Sequence, residues 1–230
     1  MRIIPDILSA DEVLMMKQHW AEHHEQAYIN MIQDDGLLID HRLLIHFTPH
    51  FTTQLSGIID RTIDQTFDTE KIVSRWAAIQ RQTNPHGAHV DDFGLEQQQA
   101  DPTLRMYTYI VALDTVPEFK VIVWKERAAS NDEMISMLPA LPSRKVRRTS
   151  DLSDREDLEH VCKVRPDDLP YDISLGDTLA LDGIFQYRSG WACLFDGKQI
   201  HTTSNWRKYG QHTHRDLLQI HVLTHEQRDF

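Results

Sequence analysis

From residue 72 onward the chain consists of short runs rich in β-branched and aromatic residues, and this pattern most limits the fold. The runs are SRWAAIQRQ (74–82), RMYTYIVALD (105–114), FKVIVWKE (119–126), DTLALDGIF (177–185), WACLF (191–195) and LLQIHVL (217–223). Pro, Gly, Asp and Asn bound them, as is usual for strands joined by tight turns. Several short strands of this kind predict an antiparallel barrel or jelly roll.

The first 71 residues have a helical pattern instead. Ser9 is placed to cap a helix over residues 10–31, which residues 34–36 would end. A second helix is expected from residue 48 or 49 to residue 67, with an apolar face for the core: Leu55, Ile58, Ile59, Ile63 and Phe67. We therefore predict a mainly β, α+β fold in one domain (1–230), with a helical scaffold (1–71) that buttresses a β core (72–225).

A polar segment, residues 127–172, interrupts the strand pattern. Connections this long inside a compact domain are usually functional lids or disordered segments. We predict a lid or substrate loop here, with a disordered excursion as the alternative, and a short helix over residues 151–161. Its basic run SRKVRRTS (143–150) is either a solvated loop or a binding site.

Composition narrows the function classes. The net charge of −11 argues against general affinity for nucleic acid, which depends on clustered Lys and Arg. No run approaches the roughly 20 apolar residues that span a bilayer, and the N-terminus does not have a signal-peptide pattern. The two cysteines, Cys162 and Cys193, make no disulfide framework, which favours a reducing compartment. We expect a cytoplasmic protein without a membrane partner.

The stretch NPHGAHVDDFG (84–94) places His89 and Asp91 two residues apart, at the apparent end of a strand. Strand side chains alternate, so both would lie on one face and could bind a single metal ion. Imidazole nitrogen and carboxylate oxygen suit Fe(II) with open positions if one more histidine is added. The pair alone is a weak signal in a chain with fourteen histidines.

The second half of the chain supplies the missing groups. An Asp-Gly turn precedes a strand that carries His201, and Arg215 begins the last strand. An arginine buried in a strand needs an anion, because its guanidinium cannot lose its charge. A small dicarboxylate bound beside the metal would supply that anion.

His89-Val90-Asp91, then His201, then Arg215 resembles the pattern of the Fe(II)- and 2-oxoglutarate-dependent dioxygenase superfamily. The prolyl-hydroxylase and nucleic-acid-demethylase branches are the most similar in style, and the resemblance covers residues 72–225 without the insertion. It implies a double-stranded β-helix, a cupin-like jelly roll. It further implies that His89, Asp91 and His201 hold Fe(II) and that Arg215 pairs with the distal carboxylate of 2-oxoglutarate.

The activity implied by the resemblance is hydroxylation of a C–H bond, with O2 consumed and succinate and CO2 released. Ascorbate is a supporting reductant, and the substrate is an unidentified protein side chain or small molecule. The net negative charge disfavours a nucleobase substrate, although the basic run at 143–150 leaves this alternative open. A cupin-like metal-dependent hydrolase or isomerase could use the same three ligands and would not need Arg215.

Several assignments stay open in the sequence. His212, His214 and His221 compete with His201 as third ligand, and Arg207 competes with Arg215. Asp92 is expected to be solvated, whereas Tyr107 and Tyr109 are expected in the core. The candidates for further cosubstrate contacts are polar residues on predicted inward faces: Gln80, Gln82 and Thr108.

The sequence also departs from the family pattern around the cosubstrate. Leu217 stands where many members carry a serine, and Ala112 stands where some use a tyrosine for the 2-oxoglutarate carboxylate. We therefore expect the cosubstrate pocket to be completed by other residues.

Overall fold

The computed structural model describes residues 1–32, 38–44, 53–83, 85, 88–91, 93–137, 179–204, 206 and 214–228. Within these ranges the strands are β1 (Arg2–Ile4), β2 (Tyr28–Ile32), β3 (Leu38–Leu44), β4 (Ile72–Gln82), β5 (Arg105–Ala112), β6 (Val116–Arg127), β7 (Leu181–Tyr187), β8 (Ala192–Asp196), β9 (Gln199–Thr203) and β10 (Arg215–Thr224). The α-helices are α1 (Ala10–His23), α2 (Thr53–Asp64), α3 (Leu95–Ala100) and α4 (Asn131–Met137).

The strands form two antiparallel sheets. The larger has the order β1-β8-β5-β10-β4-β3-β2, and the smaller has the order β7-β6-β9. One apolar cluster joins their facing sides, with Ile110 and Leu217 from the large sheet and Val121 and Phe185 from the small one. The predicted mainly β jelly roll with flanking helices is confirmed.

The helices α1 and α2 cover the other side of the large sheet. Their apolar faces share one buried cluster with outward residues of β4, β5 and β10. Ser9 caps α1 as expected, since it and Glu12 form a reciprocal capping box. The predicted core face of α2 is buried, and so are Tyr107 and Tyr109. The large sheet is therefore covered on both faces, which explains why every residue of β10 is buried.

The predicted helix over residues 10–31 is wrong in its second half. The α-helix ends at His23, a 3₁₀ turn covers His24–Gln26, and Tyr28–Ile32 is a strand that pairs with β3. Aromatic and β-branched residues lose side-chain freedom in a helix and fit a pleated sheet better. Residues 1–71 are consequently not only a helical scaffold, because three of their segments add strands to the large sheet.

Four other expectations concern segments outside the described residues. These are the turn at 34–36, the start of the second helix at 48 or 49, the basic run at 143–150 and the helix at 151–161. Of the 127–172 insertion, the structure describes the end of β6 and the helix α4. No helix in the described ranges is long and apolar enough to cross a membrane.

Candidate metal and cosubstrate site

The His-x-Asp segment is joined to the hairpin formed by β8 and β9. His89 and His201 exchange two backbone N–H to carbonyl hydrogen bonds, each 3.0 Å long. The Asp91 N–H donates to the Gly197 carbonyl at 2.9 Å. The pair was expected at the end of a strand, but β4 ends at Gln82, the last residue of the predicted run, and the pair lies beyond it. Pairing with β9 delivers His89 directly opposite His201.

Two side chains from elsewhere hold the same segment. The Asn131 amide accepts from the Val90 N–H at 3.0 Å and donates to the Val90 carbonyl at 3.1 Å. The Lys198 ammonium donates to the Asp91 carbonyl at 2.8 Å, and only 7% of Lys198 is exposed. The backbone of Val90 and Asp91 is thus held by two side chains.

We predict that Lys198→Met, which keeps the apolar stem, lowers the free energy of unfolding by about 2 kcal/mol. Hydrogen bonds to charged groups contribute roughly 1.5–3 kcal/mol, and the substitution also leaves a buried carbonyl without its donor. Urea unfolding of the metal-free protein measures this loss. Lys125→Met, on the exposed side of β6, is the control and should unfold like the wild type.

The side chains of His89, Asp91 and His201 converge. One ligand atom from each lies within 4.8 Å of the others, and this is the only such group found among the described residues. The His201 Nε2 lies 3.8 Å from the Asp91 Oδ1. The His201 Nδ1 lies 2.9 Å from the Gln199 carbonyl, so this nitrogen carries the proton and Nε2 offers its lone pair to an ion.

The Asp91 carboxyl is kept ionised by its neighbours. Burial raises its pKa, but the imidazoles of His201, His221 and His89 and the Thr108 hydroxyl outweigh burial and lower the pKa to about 2. A carboxylate is the form that binds a metal ion. Asp91 is therefore ready to act as a ligand throughout the physiological pH range.

This pKa predicts an acid-dependent loss of stability. A carboxyl with a lowered folded-state pKa contributes stability above its unfolded pKa, near 4, and loses it as the pH falls toward 2. We expect the contribution to be about 2 kcal/mol. Carbon-13 NMR titration of the Asp91 carboxyl in the metal-free protein should show that it stays ionised well below pH 4. A carboxyl that protonates at its ordinary pKa would contradict the assignment.

Thr108 faces the interior, as predicted, and its hydroxyl donates to the Asp91 Oδ2 at 2.6 Å. The cosubstrate contact proposed for Thr108 stays a prediction. His221, considered above as a rival third ligand, lies behind Asp91. Its Nδ1 is 3.1 Å from the Thr108 hydroxyl and 3.9 Å from the Asp91 Oδ2.

Arg215 is buried deeper between the sheets, with 2% of its surface exposed. It is the register partner of Gln82, whose side-chain oxygen accepts from the Arg215 Nε at 2.6 Å. The Gln82 amide donates to Gln80 at 3.3 Å, and Gln80 donates to Gln219. The predicted inward amides therefore form a hydrogen-bonded row that begins at Arg215.

The structure describes one further rival candidate, His214. His214 is not close to the His-Asp-His group. It lines a separate cleft of about 470 Å³ that also contains Lys17 and Asp216. Arg207, His212 and Asp92 lie outside the described residues.

Comparison with known proteins rests on structure alone, because no family model and no curated protein sequence matches this chain. SnoK, a non-heme alpha ketoglutarate dependent carbocyclase from nogalamycin biosynthesis, is 18% identical. The match covers 96% of this chain and 78% of SnoK with a TM-score of 0.52. A prolyl-4-hydroxylase of Pseudomonas putida is 11% identical, with coverage of 98% and 92% and a TM-score of 0.51. HygX of Streptomyces hygroscopicus, solved with iron bound, is 14% identical, with coverage of 97% and 81% and a TM-score of 0.51.

This chain has the fold of the 2-oxoglutarate-dependent iron oxygenases. The likeness holds for the fold, as expected at such low identity, and it agrees with the resemblance found in the sequence.

Within this oxygenase fold, one residue near Arg215 was missed in the sequence. Tyr187 ends β7, and its ring lies 4.9 Å from the Arg215 guanidinium carbon. Only 1% of Tyr187 is exposed, and its hydroxyl has no hydrogen-bond partner among the described residues. Burial raises the pKa of Tyr187, so the phenol stays protonated and can donate. The available signal was the alternation of Phe185 and Tyr187 on the inward side of a strand.

Proposed function

We propose that this protein is an Fe(II)- and 2-oxoglutarate-dependent oxygenase. The supporting observation is that a His-Asp-His group and a buried arginine lie in the interior of one jelly roll. Two imidazole nitrogens and one carboxylate oxygen are the donor set of non-heme iron sites that keep open positions. The site residues therefore fit the metal that the fold implies.

Tyr187 supports the assignment of the cosubstrate. A buried hydroxyl without an acceptor is unfavourable, and a bound carboxylate would remove that penalty. The Arg215 guanidinium, which lies over the Tyr187 ring, offers N–H donors with the positive charge that a carboxylate requires. A dicarboxylate such as 2-oxoglutarate can bind the metal at one end and this pair at the other.

Each protein group has a distinct task in the proposed reaction. His89, Asp91 and His201 would hold the ion, and Arg215 and Tyr187 would bind the distal carboxylate. The Gln82 side-chain oxygen orients the guanidinium through its Nε. A bound Fe(II) ion supplies the redox chemistry that couples O2 reduction and 2-oxoglutarate decarboxylation to C–H oxidation.

We propose hydroxylation of a protein side chain or small molecule as the outcome, with succinate and CO2 as coproducts. Asp91 supplies a carboxylate ligand where a small residue would leave room for a chloride ion. This supports hydroxylation over halogenation. The net charge of −11 favours such substrates over nucleic acid.

Succinate formation tests this function. Protein loaded with Fe(II) under argon would receive 2-oxoglutarate, ascorbate and air, with peptides, amino acids or methylated nucleobases as substrates. We expect succinate only when iron, 2-oxoglutarate and O2 are all present, and none from Asp91→Ala. Equal succinate from Asp91→Ala, or none from the wild type with any substrate, would contradict the proposal.

A further inference from the structure

A buried hydrogen-bonded pair, Thr108 and His221, stands behind the Asp91 carboxylate. We propose that these are positioning residues that turn Asp91 so that its Oδ1 faces the ion and its Oδ2 faces away. This inference rests on the proposed function, because it assigns the ion to the His-Asp-His group.

The direction of each hydrogen bond follows from the donor inventory. An ionised carboxylate can only accept, so the single Thr108 hydroxyl proton is given to the Asp91 Oδ2, 2.6 Å away. The same hydroxyl then accepts from His221, whose Nδ1 lies 3.1 Å away. The Nδ1 of His221 must therefore carry a proton. The hydrogen bonds thus run from His221 through Thr108 to the Asp91 Oδ2.

Packing holds His221 in the orientation that these hydrogen bonds need. Its ring stacks on Trp76, at 5.1 Å and 29°, and on Phe93, at 5.3 Å and 14°, and the Trp76 and Phe93 rings are themselves 6.4 Å apart. Thr108 and Trp76 are its register partners on the two neighbouring strands, so all three side chains lie on the same face. Phe93 follows Asp91 by two residues, which links the stack to the metal-ligand segment.

The pair would limit the number of coordination positions that Asp91 takes up on a bound ion. Oδ2 is engaged by Thr108, whereas Oδ1 is the oxygen 3.8 Å from the His201 Nε2. We infer that Asp91 binds through Oδ1 alone. An aspartate that also used Oδ2 would occupy a position that the proposed mechanism needs for cosubstrate or O2.

Two matched pairs of variants separate positioning from packing. Thr108→Val keeps the shape and removes the hydroxyl, while Thr108→Ser restores it. His221→Phe keeps an aromatic ring in the stack and removes the donor, while His221→Asn retains an N–H near Nδ1. Hydrogen-bonded neighbours of metal ligands typically contribute 10- to 100-fold in affinity. We expect Thr108→Val and His221→Phe to weaken Fe(II) binding about 10- to 100-fold, and Thr108→Ser and His221→Asn to recover most of it.

Substitution with Co(II) tests how Asp91 coordinates the ion. The visible absorption of the Co(II) protein should change in intensity for Thr108→Val and His221→Phe, as Oδ2 becomes free to bind. Thr108→Ser should retain the wild-type spectrum. Wild-type Co(II) spectra and Fe(II) affinities in Thr108→Val and His221→Phe would overturn the inference.

A metal-free measurement distinguishes failure of this inference from failure of the proposed function. Nitrogen-15 NMR of the apoprotein should show a slowly exchanging His221 Nδ1–H that Thr108→Val exposes to exchange. Absence of that signal in the wild type would overturn the hydrogen-bonded pair, whatever metal is bound. An intact signal in a wild type that binds neither Fe(II) nor Co(II) would overturn the proposed function and the assigned role toward the ion.

Discussion

Arg215→Leu is expected to weaken 2-oxoglutarate binding by about a hundredfold. Removing one partner of a buried, hydrogen-bonded charge pair costs roughly 2–5 kcal/mol, and each 1.4 kcal/mol is a factor of ten in affinity. Arg215 is 2% exposed, so water cannot replace the lost guanidinium. Calorimetric titration of the protein loaded with Mn(II), which does not support turnover, measures the change without oxidation.

The matched control is Arg81→Leu. Arg81 lies beside Gln82 on β4, but its guanidinium pairs with Asp216 at 2.8 and 2.7 Å, on the opposite face of the sheet. We expect this variant to bind 2-oxoglutarate like the wild type. Equal effects of the two substitutions would indicate a general loss of structure. Unchanged affinity in Arg215→Leu would contradict the assignment of the distal carboxylate.

His201→Ala is expected to weaken Fe(II) binding by more than about a hundredfold, beyond the range seen for residues that only support a ligand. It removes the nitrogen that lies 3.8 Å from Asp91 Oδ1 and leaves two protein ligands. Equilibrium dialysis under argon measures the affinity. His225→Ala is the control, because His225 follows β10 and is about half exposed. Comparable affinity in His201→Ala and wild type would show that another residue completes the ligand set.

The strand pattern was predictable because each core strand carries its own local signal. Short runs rich in β-branched residues between turn residues identified β4, β5, β6, β8 and β10 within a few positions. The strand Tyr28–Ile32 was missed because apolar residues preceding it continue a helical stripe. Pairing with β3 decides its structure, and residues 28–32 alone do not indicate that pairing.

The site was predictable to the extent that side-chain alternation and order along the chain determine it. Alternation placed Gln80, Gln82 and Thr108 on inward faces, where the structure has them. Which group each one contacts depends on strand register, so the Thr108 contact with Asp91 was not foreseen. Lys198 and Asn131 bind backbone carbonyl and amide groups, which are common to nearly all residues, so no sequence pattern indicates them.

The central claim is that His89, Asp91 and His201 bind an iron ion to which 2-oxoglutarate binds in turn. Anaerobic titration of the protein with Fe(II) and then 2-oxoglutarate tests it most directly, because the chelate gives a weak visible charge-transfer band. We predict that this band appears and saturates in the wild type, requires more 2-oxoglutarate in Arg215→Leu, and is absent in His201→Ala. A wild type without the band, or a band that persists in His201→Ala, would contradict the account.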